Sequence, residues 1–133
     1  MNKADLMKLL QRLSKAGVKR VPKKHKEAKA LLALSLVDLN VEAIFDEQEI
    51  DAHLAHWLKK LAVQGDGVDY VTWRRALVDY GFLRRATDGV IYRIRPETIA
   101  EALSEDAQAV DPHVVFVDSE LARHERQQQF RNG

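Results

Sequence analysis

The chain contains no cysteine. That excludes disulfides, cysteine-ligated zinc, iron–sulfur clusters and a cysteine nucleophile together. No uninterrupted apolar run approaches the roughly 20 residues that span a bilayer. The first residues, MNKADLMKLL, lack the apolar stretch of a secretory signal. There is no Gly-rich phosphate loop, no nucleophile elbow and no His-Glu-x-x-His pair. These absences predict a soluble, cytoplasmic protein without a membrane partner, with no cofactor or metal, and not an enzyme.

What is present suits one ordinary domain with extensions. The chain has 133 residues, of which 46% are apolar and 31% charged, enough for both a packed core and a hydrated surface. The net charge of +1 hides an alternation. Residues 1–30 carry ten Lys or Arg against two acids, and residues 31–66 carry two against seven. Residues 67–95 then carry six against three, and residues 96–133 three against eight. Two basic blocks that folding can bring together suit nucleic acid, although pairing within or between chains remains open.

Hydrophobic periodicity predicts a first helix over Asn2–Ala16, with Leu6, Leu9, Leu10 and Leu13 on one face and Gly17 as its stop. That leucine face either contacts a second copy in a homodimer or closes over its own domain. After the basic connector VKRVPKKHK, a second helix is expected over Lys23–Leu39 and a short strand at Ile44 and Phe45. Asp46 and Glu49 have capping-box spacing at the head of a third helix ending at Leu61. The QGDG stretch, Gln64 to Gly67, breaks the chain.

Asp69 caps a fourth helix over Tyr70–Tyr80, with Trp73 and Leu77 inward and Gly81 at C′. Phe82–Ala86 and Val90–Ile94 read as a hairpin around Thr87-Asp88-Gly89. Phe82 alternates there with Arg84 and Ile91 with Arg93, so one face packs while the other carries arginine. Pro96 opens a helix over Glu97–Gln108, Val114–Val117 reads as a short strand, and the polar end from Ser119 is a fraying helix or a tail.

Helix, short strand, two helices and a hairpin is the order of a winged helix-turn-helix, an α+β but mainly α fold. The organisation expected is an N-terminal helix (1–17), a winged-helix domain (18–95), a C-terminal helix and short strand (96–118) and a polar tail (119–133). The stretches RVPKKHKEAKALLALSL, FDEQEIDAHL and above all TWRRALVDYGFLRRATDGVIYRI resemble the DUF2087 family of uncharacterised bacterial domains over about residues 20–95. The resemblance implies a winged-helix module of the kind regarded as a transcriptional regulator, sometimes joined to a separate regulator domain. No such second domain is recognisable in this sequence.

A helix in the major groove presents a few side chains to base edges. On the fourth helix these are Thr72 and Arg75, with the Arg75 guanidinium matched to guanine O6 and N7. Asp79, four residues on, competes for Arg75 in a surface pair. Lys23, Lys24, Arg74, Arg84, Arg85, Arg93 and Arg95 are candidates for the DNA backbone, where cations position the duplex without reading it. Lys19, Arg20 and Lys26 extend that patch. Arg74 lies near the core margin, where Asp51 competes for it, and alternation puts Arg84 and Arg85 on opposite strand faces. Trp57, Trp73 and Tyr92 are expected in the core. His53 and His56 share one side of the third helix near Asp51 and Glu49, but no third ligand is implied, so they read as boundary histidines. The leading function is a DNA-binding regulator with double-stranded DNA as partner. The alternative is a protein-interaction module using the same surface.

Overall fold

A computed structural model describes the chain from Met1 to Asn132 except Gln64, Asp66, Thr87, Gly89 and Val90. The expected reversals at Thr87-Asp88-Gly89 and Gln64–Gly67 fall in part on these positions, so neither turn as a whole lies within the described residues. The elements run α1 (Lys3–Leu13), α2 (His25–Leu34), β1 (Ile44–Asp46), α3 (Glu47–Lys60), α4 (Tyr70–Asp79), β2 (Leu83–Arg85), β3 (Ile91–Ile94), α5 (Pro96–Ala102), α6 (Glu105–Gln108) and α7 (Pro112–Asn132). The fold is mainly helical with one small antiparallel sheet of order β1-β3-β2, as expected for a winged-helix-like chain. Among the described residues no helix is long and apolar enough to cross a membrane.

α1, α3 and α4 start where a side chain satisfies a free amide. Asn2 caps α1 through the Asp5 amide, and Asp69 caps α4 through the Thr72 amide. Asp46 and Glu49 form a reciprocal capping box on α3. The central element is α2, which starts without a side-chain cap. Ala28, Ala30, Leu31, Leu32, Ala33, Leu34 and Leu36 are all buried, because α4 packs on it from one side and α5 from another. A helix apolar on nearly every side belongs in the middle of a core.

Beyond Leu34 the chain leaves the helix sooner than periodicity implies, and at that end the Ser35 hydroxyl donates back to the Leu32 carbonyl at 2.6 Å. This same hydroxyl accepts from the Trp73 indole Nε1 at 3.1 Å, and the Ser35 carbonyl accepts from His53 Nε2 at 2.6 Å. The Nε2 of His53 therefore carries a proton. Trp57 and Trp73 are both buried, with ring centroids 5.7 Å apart.

The leucine face of α1 is covered within its own chain. Leu6, Leu9 and Leu10 are buried against α6 and α7, so that face is not available for a homodimer. Two further expectations change. The single helix over Glu97–Gln108 is two, because Leu103 is extended and buried; Ser104 stands before the second, its hydroxyl donating to the Asp106 carboxylate at 2.6 Å. Val114–Val117 is helical, part of α7. The Asp111 carboxylate accepts from the His113 and Val114 amides at 2.9 and 3.4 Å, and Pro112 stands at the first turn, so capping overrides the strand preference of three valines. The polar end continues α7 to Asn132.

Two glycines close helical turns with positive φ, Gly17 at +80° and Gly81 at +81°, and differ in surroundings. A Cβ on Gly81 would meet nothing within 4 Å, whereas one on Gly17 would sit 2.7 Å from the Val63 amide nitrogen and 2.8 Å from the Leu61 carbonyl oxygen. Gly81→Ala is expected to cost only the left-handed strain, about 1–2 kcal/mol. Gly17→Ala is expected to cost clearly more, and equal losses in chemical denaturation would contradict this packing.

Candidate nucleic-acid interface

Burial of Trp73 and Leu77 sets the rotation of α4. With about 100° per residue, Thr72, Arg75 and Asp79 turn outward, and all three are exposed. Arg75 makes no ion pair with Asp79 among the described residues, so the competing use of its charge does not arise. Thr72 is partly committed: its hydroxyl donates to the Asp69 carboxylate at 2.7 Å. It is left with its acceptor lone pairs and methyl group for a ligand. The Thr72 amide, then its hydroxyl, hold the Asp69 carboxyl below the ordinary range, so a negative charge sits at the head of α4.

Arg74 belongs to a different surface. Its guanidinium donates to Asp51 and pairs with Glu47 at 3.0 Å, and its side chain is only 11% exposed. Burial works to lower the Arg74 pKa, but the hydrogen bond and charge of Asp51, with Glu47, outweigh it and hold it above its usual value. Arg74 fastens α4 to α3 and leaves the set of DNA backbone candidates.

In the wing, register decides the outcome. Arg84 lies directly opposite Arg93, and Arg93 opposite Ile44 on the other side. These three form one row on the face turned away from the packed helices. Leu83, Tyr92 and Ile94 face the core and are buried, so Tyr92 has the core role expected of it. Ile91 stands on the arginine face rather than the packing face, and Phe82 is buried before the strand begins. Arg85, opposite Tyr92, projects from the core side at an exposed position.

The cations of the N-terminal basic block lie around the start of α2. Lys23 and Lys24 are exposed at the head of α2, and His25 beside them meets the Tyr80 ring edge-on at 5.7 Å. Lys19, Arg20, Lys23 and Lys24 border a hollow of about 420 Å³ floored by Leu13, Val18 and Leu31. Lys26 is also exposed but faces a neighbouring hollow beside Asp5, Lys8 and Arg12 of α1. The Arg95 amide donates to the Phe82 carbonyl at 2.9 Å, and the Phe82 amide to Leu77 at 2.8 Å, which puts exposed Arg95 at the foot of the wing beside the same end of α4. The structure thus brings Lys23, Lys24 and Arg95 toward the end of α4 that follows Arg75, and it places Arg84 and Arg93 on another face. His53 turns in to Ser35, whereas His56 is exposed.

Three helices around a shared tryptophan core, with β1 and the β2–β3 hairpin closing one side, define a winged-helix-like domain. The chain belongs to the family described as "Uncharacterized protein conserved in bacteria (DUF2087)", which matches residues 17–94. Those bounds enclose α2 through β3 and leave out α1 and α5–α7. No curated protein and no solved structure matches the chain.

The neighbouring arginines of α4 are expected to separate cleanly on mutation. Arg74→Ala strands two carboxylates and should lower stability by about 1–3 kcal/mol. Arg75→Ala should stay within about 0.5 kcal/mol of the parent. Urea titrations giving equal losses would show that Arg74 is not the tie between α3 and α4.

Proposed function

We propose that this domain is a non-catalytic, cytoplasmic DNA-binding regulator that sets the exposed face of α4 in the major groove. The observation that carries the reading is Arg75: a guanidinium on the outward face of the helix, with no acid paired to it among the described residues. Its planar fork suits guanine O6 and N7. Thr72, one turn earlier, offers an acceptor or its methyl group. Lys23, Lys24 and Arg95, gathered toward the far end of α4, would neutralise phosphates along the duplex and fix its position. Arg84 and Arg93 have no part in this surface, since they face away from the packed helices. A protein-interaction role rests on that other face, where Ile44 and Ile91 stand exposed beside them.

The test is binding to a randomised duplex pool at two salt concentrations. Affinity should fall steeply with salt, because each neutralised phosphate releases counterions. Arg75→Ala should cost about 1–3 kcal/mol on selected sequences and relax their preference. Lys23→Ala and Lys24→Ala should weaken all sequences alike and each lower the salt slope by roughly one. No duplex binding at low salt, or binding indifferent to all three changes, would overturn the reading.

A further inference from the structure

We propose that two copies of this chain pair by laying α7 of each across the outer face of the other's β1-β3-β2 sheet. The inference goes beyond DNA binding and does not depend on it. It starts from two unpartnered faces on one molecule. Along α7, Val115 and Phe116 are buried, and Arg123 donates to the Ser14 hydroxyl of the α1 segment at 2.8 Å. The opposite side of the helix carries Val114, Val117 and Leu121, 50%, 41% and 55% exposed. Their spacing of three and four residues is that of a seam made to meet another surface.

The flanks of that seam are acidic. Asp118 and Glu125 border one edge and Glu120 the other, all exposed. Two α7 helices packed seam to seam would bring acid against acid in either orientation, across e and g positions when parallel and across like positions when antiparallel. The helix is therefore suited to an apolar surface that carries cations rather than to a copy of itself.

The outer face of the sheet is such a surface. Ile44 and Ile91 are 54% and 38% exposed there. Arg84 and Arg93 stand directly opposite each other with no acid paired to either among the described residues, a like-charge placement that is unfavourable until an anion joins it. Asp46, on the same face, is already engaged in capping α3. Between the arginines and Ile91 lies a hollow of about 280 Å³ bordered by Ala86, room for a branched aliphatic side chain such as Leu121. The dimensions also agree. Val114 to Leu121 spans about 10 Å of helix, and three strands span about 10 Å across the sheet.

Both halves of this complementary pair belong to the same chain, so a second copy always supplies what the first lacks. Two-fold symmetry makes the contact twice. In its own chain α7 packs on α1 instead.

The test is sedimentation of the full chain over a range of concentrations and salt. The parent should be a dimer that weakens as salt rises. Reversing the sheet (Arg84→Glu with Arg93→Glu) or the helix (Glu120→Lys with Glu125→Lys) should each raise the dimer dissociation constant roughly tenfold or more. Mixing the two reversed proteins should restore the dimer, because every contact then joins opposite charges. As a second measurement, the cysteine-free chain carrying both Ile91→Cys and Leu121→Cys should give a disulfide-linked dimer on mild oxidation. A parent that stays monomeric, a dimer unaffected by either reversal, reversed proteins that do not pair when mixed, or no disulfide-linked species would each overturn the proposal. Capture of a different protein by this face, with the parent monomeric, would do the same.

Discussion

The indole N–H of Trp73 is fully buried, and a buried donor without an acceptor costs about 1–3 kcal/mol. Ser35 supplies the acceptor, and its carbonyl receives His53 at the same place. One residue at the end of α2 therefore holds α3 and α4 together from the polar side, while the Trp57–Trp73 contact does so from the apolar side. Much of the exposed chemistry of α4 follows from this junction. With Trp73 inward, position 74 is turned toward the acids of α3 and position 75 toward solvent, so the junction decides which arginine is structural and which is free for a ligand.

Local signals account for most of the legible fold. Asp46 with Glu49, Asp69 before α4 and Gly81 after it act within one turn of the residues that encode them, and each stands where capping chemistry places it. The α7 start was readable by the same rule from Asp111 and Pro112, but the strand preference of Val114, Val115 and Val117 obscured it. The break between α5 and α6 depends on Leu103 reaching the core, which periodicity over so short a stretch does not reveal.

Less of the candidate site was legible, because it depends on non-local geometry. The segregation of Arg84 from Arg85 follows from strand alternation, but the row that joins Ile44, Arg93 and Arg84 requires the register of β1 on β3, and those strands are separated by α3 and α4. The Arg74–Asp51 pair is an exception: it is expected from the sequence and present in the fold, where α3 and α4 pack side by side. The free state of Arg75 is the consequence: its neighbour takes the nearby acids of α3, and Asp79 stays unpaired on the outward face among the described residues.

Adjacent arginines with opposite roles, at 74 and 75 on a helix and at 84 and 85 on a strand, reflect rotation rather than composition. A step of about 100° on a helix or 180° on a strand carries the next cation to another surface. Counting basic residues in the second basic block therefore overstates any single interface. The block divides into a face on α4, a tie inside the fold and a row on the outer sheet. That division has a functional consequence. A partner seated on Ile44, Ile91, Arg84 and Arg93 lies on the face of the sheet opposite to the one packed on the helices, so it leaves Thr72 and Arg75 uncovered on their own element. The two proposed surfaces therefore stand on different elements, the outer row of the sheet for an acidic helix and the outward face of α4 for a polyanion.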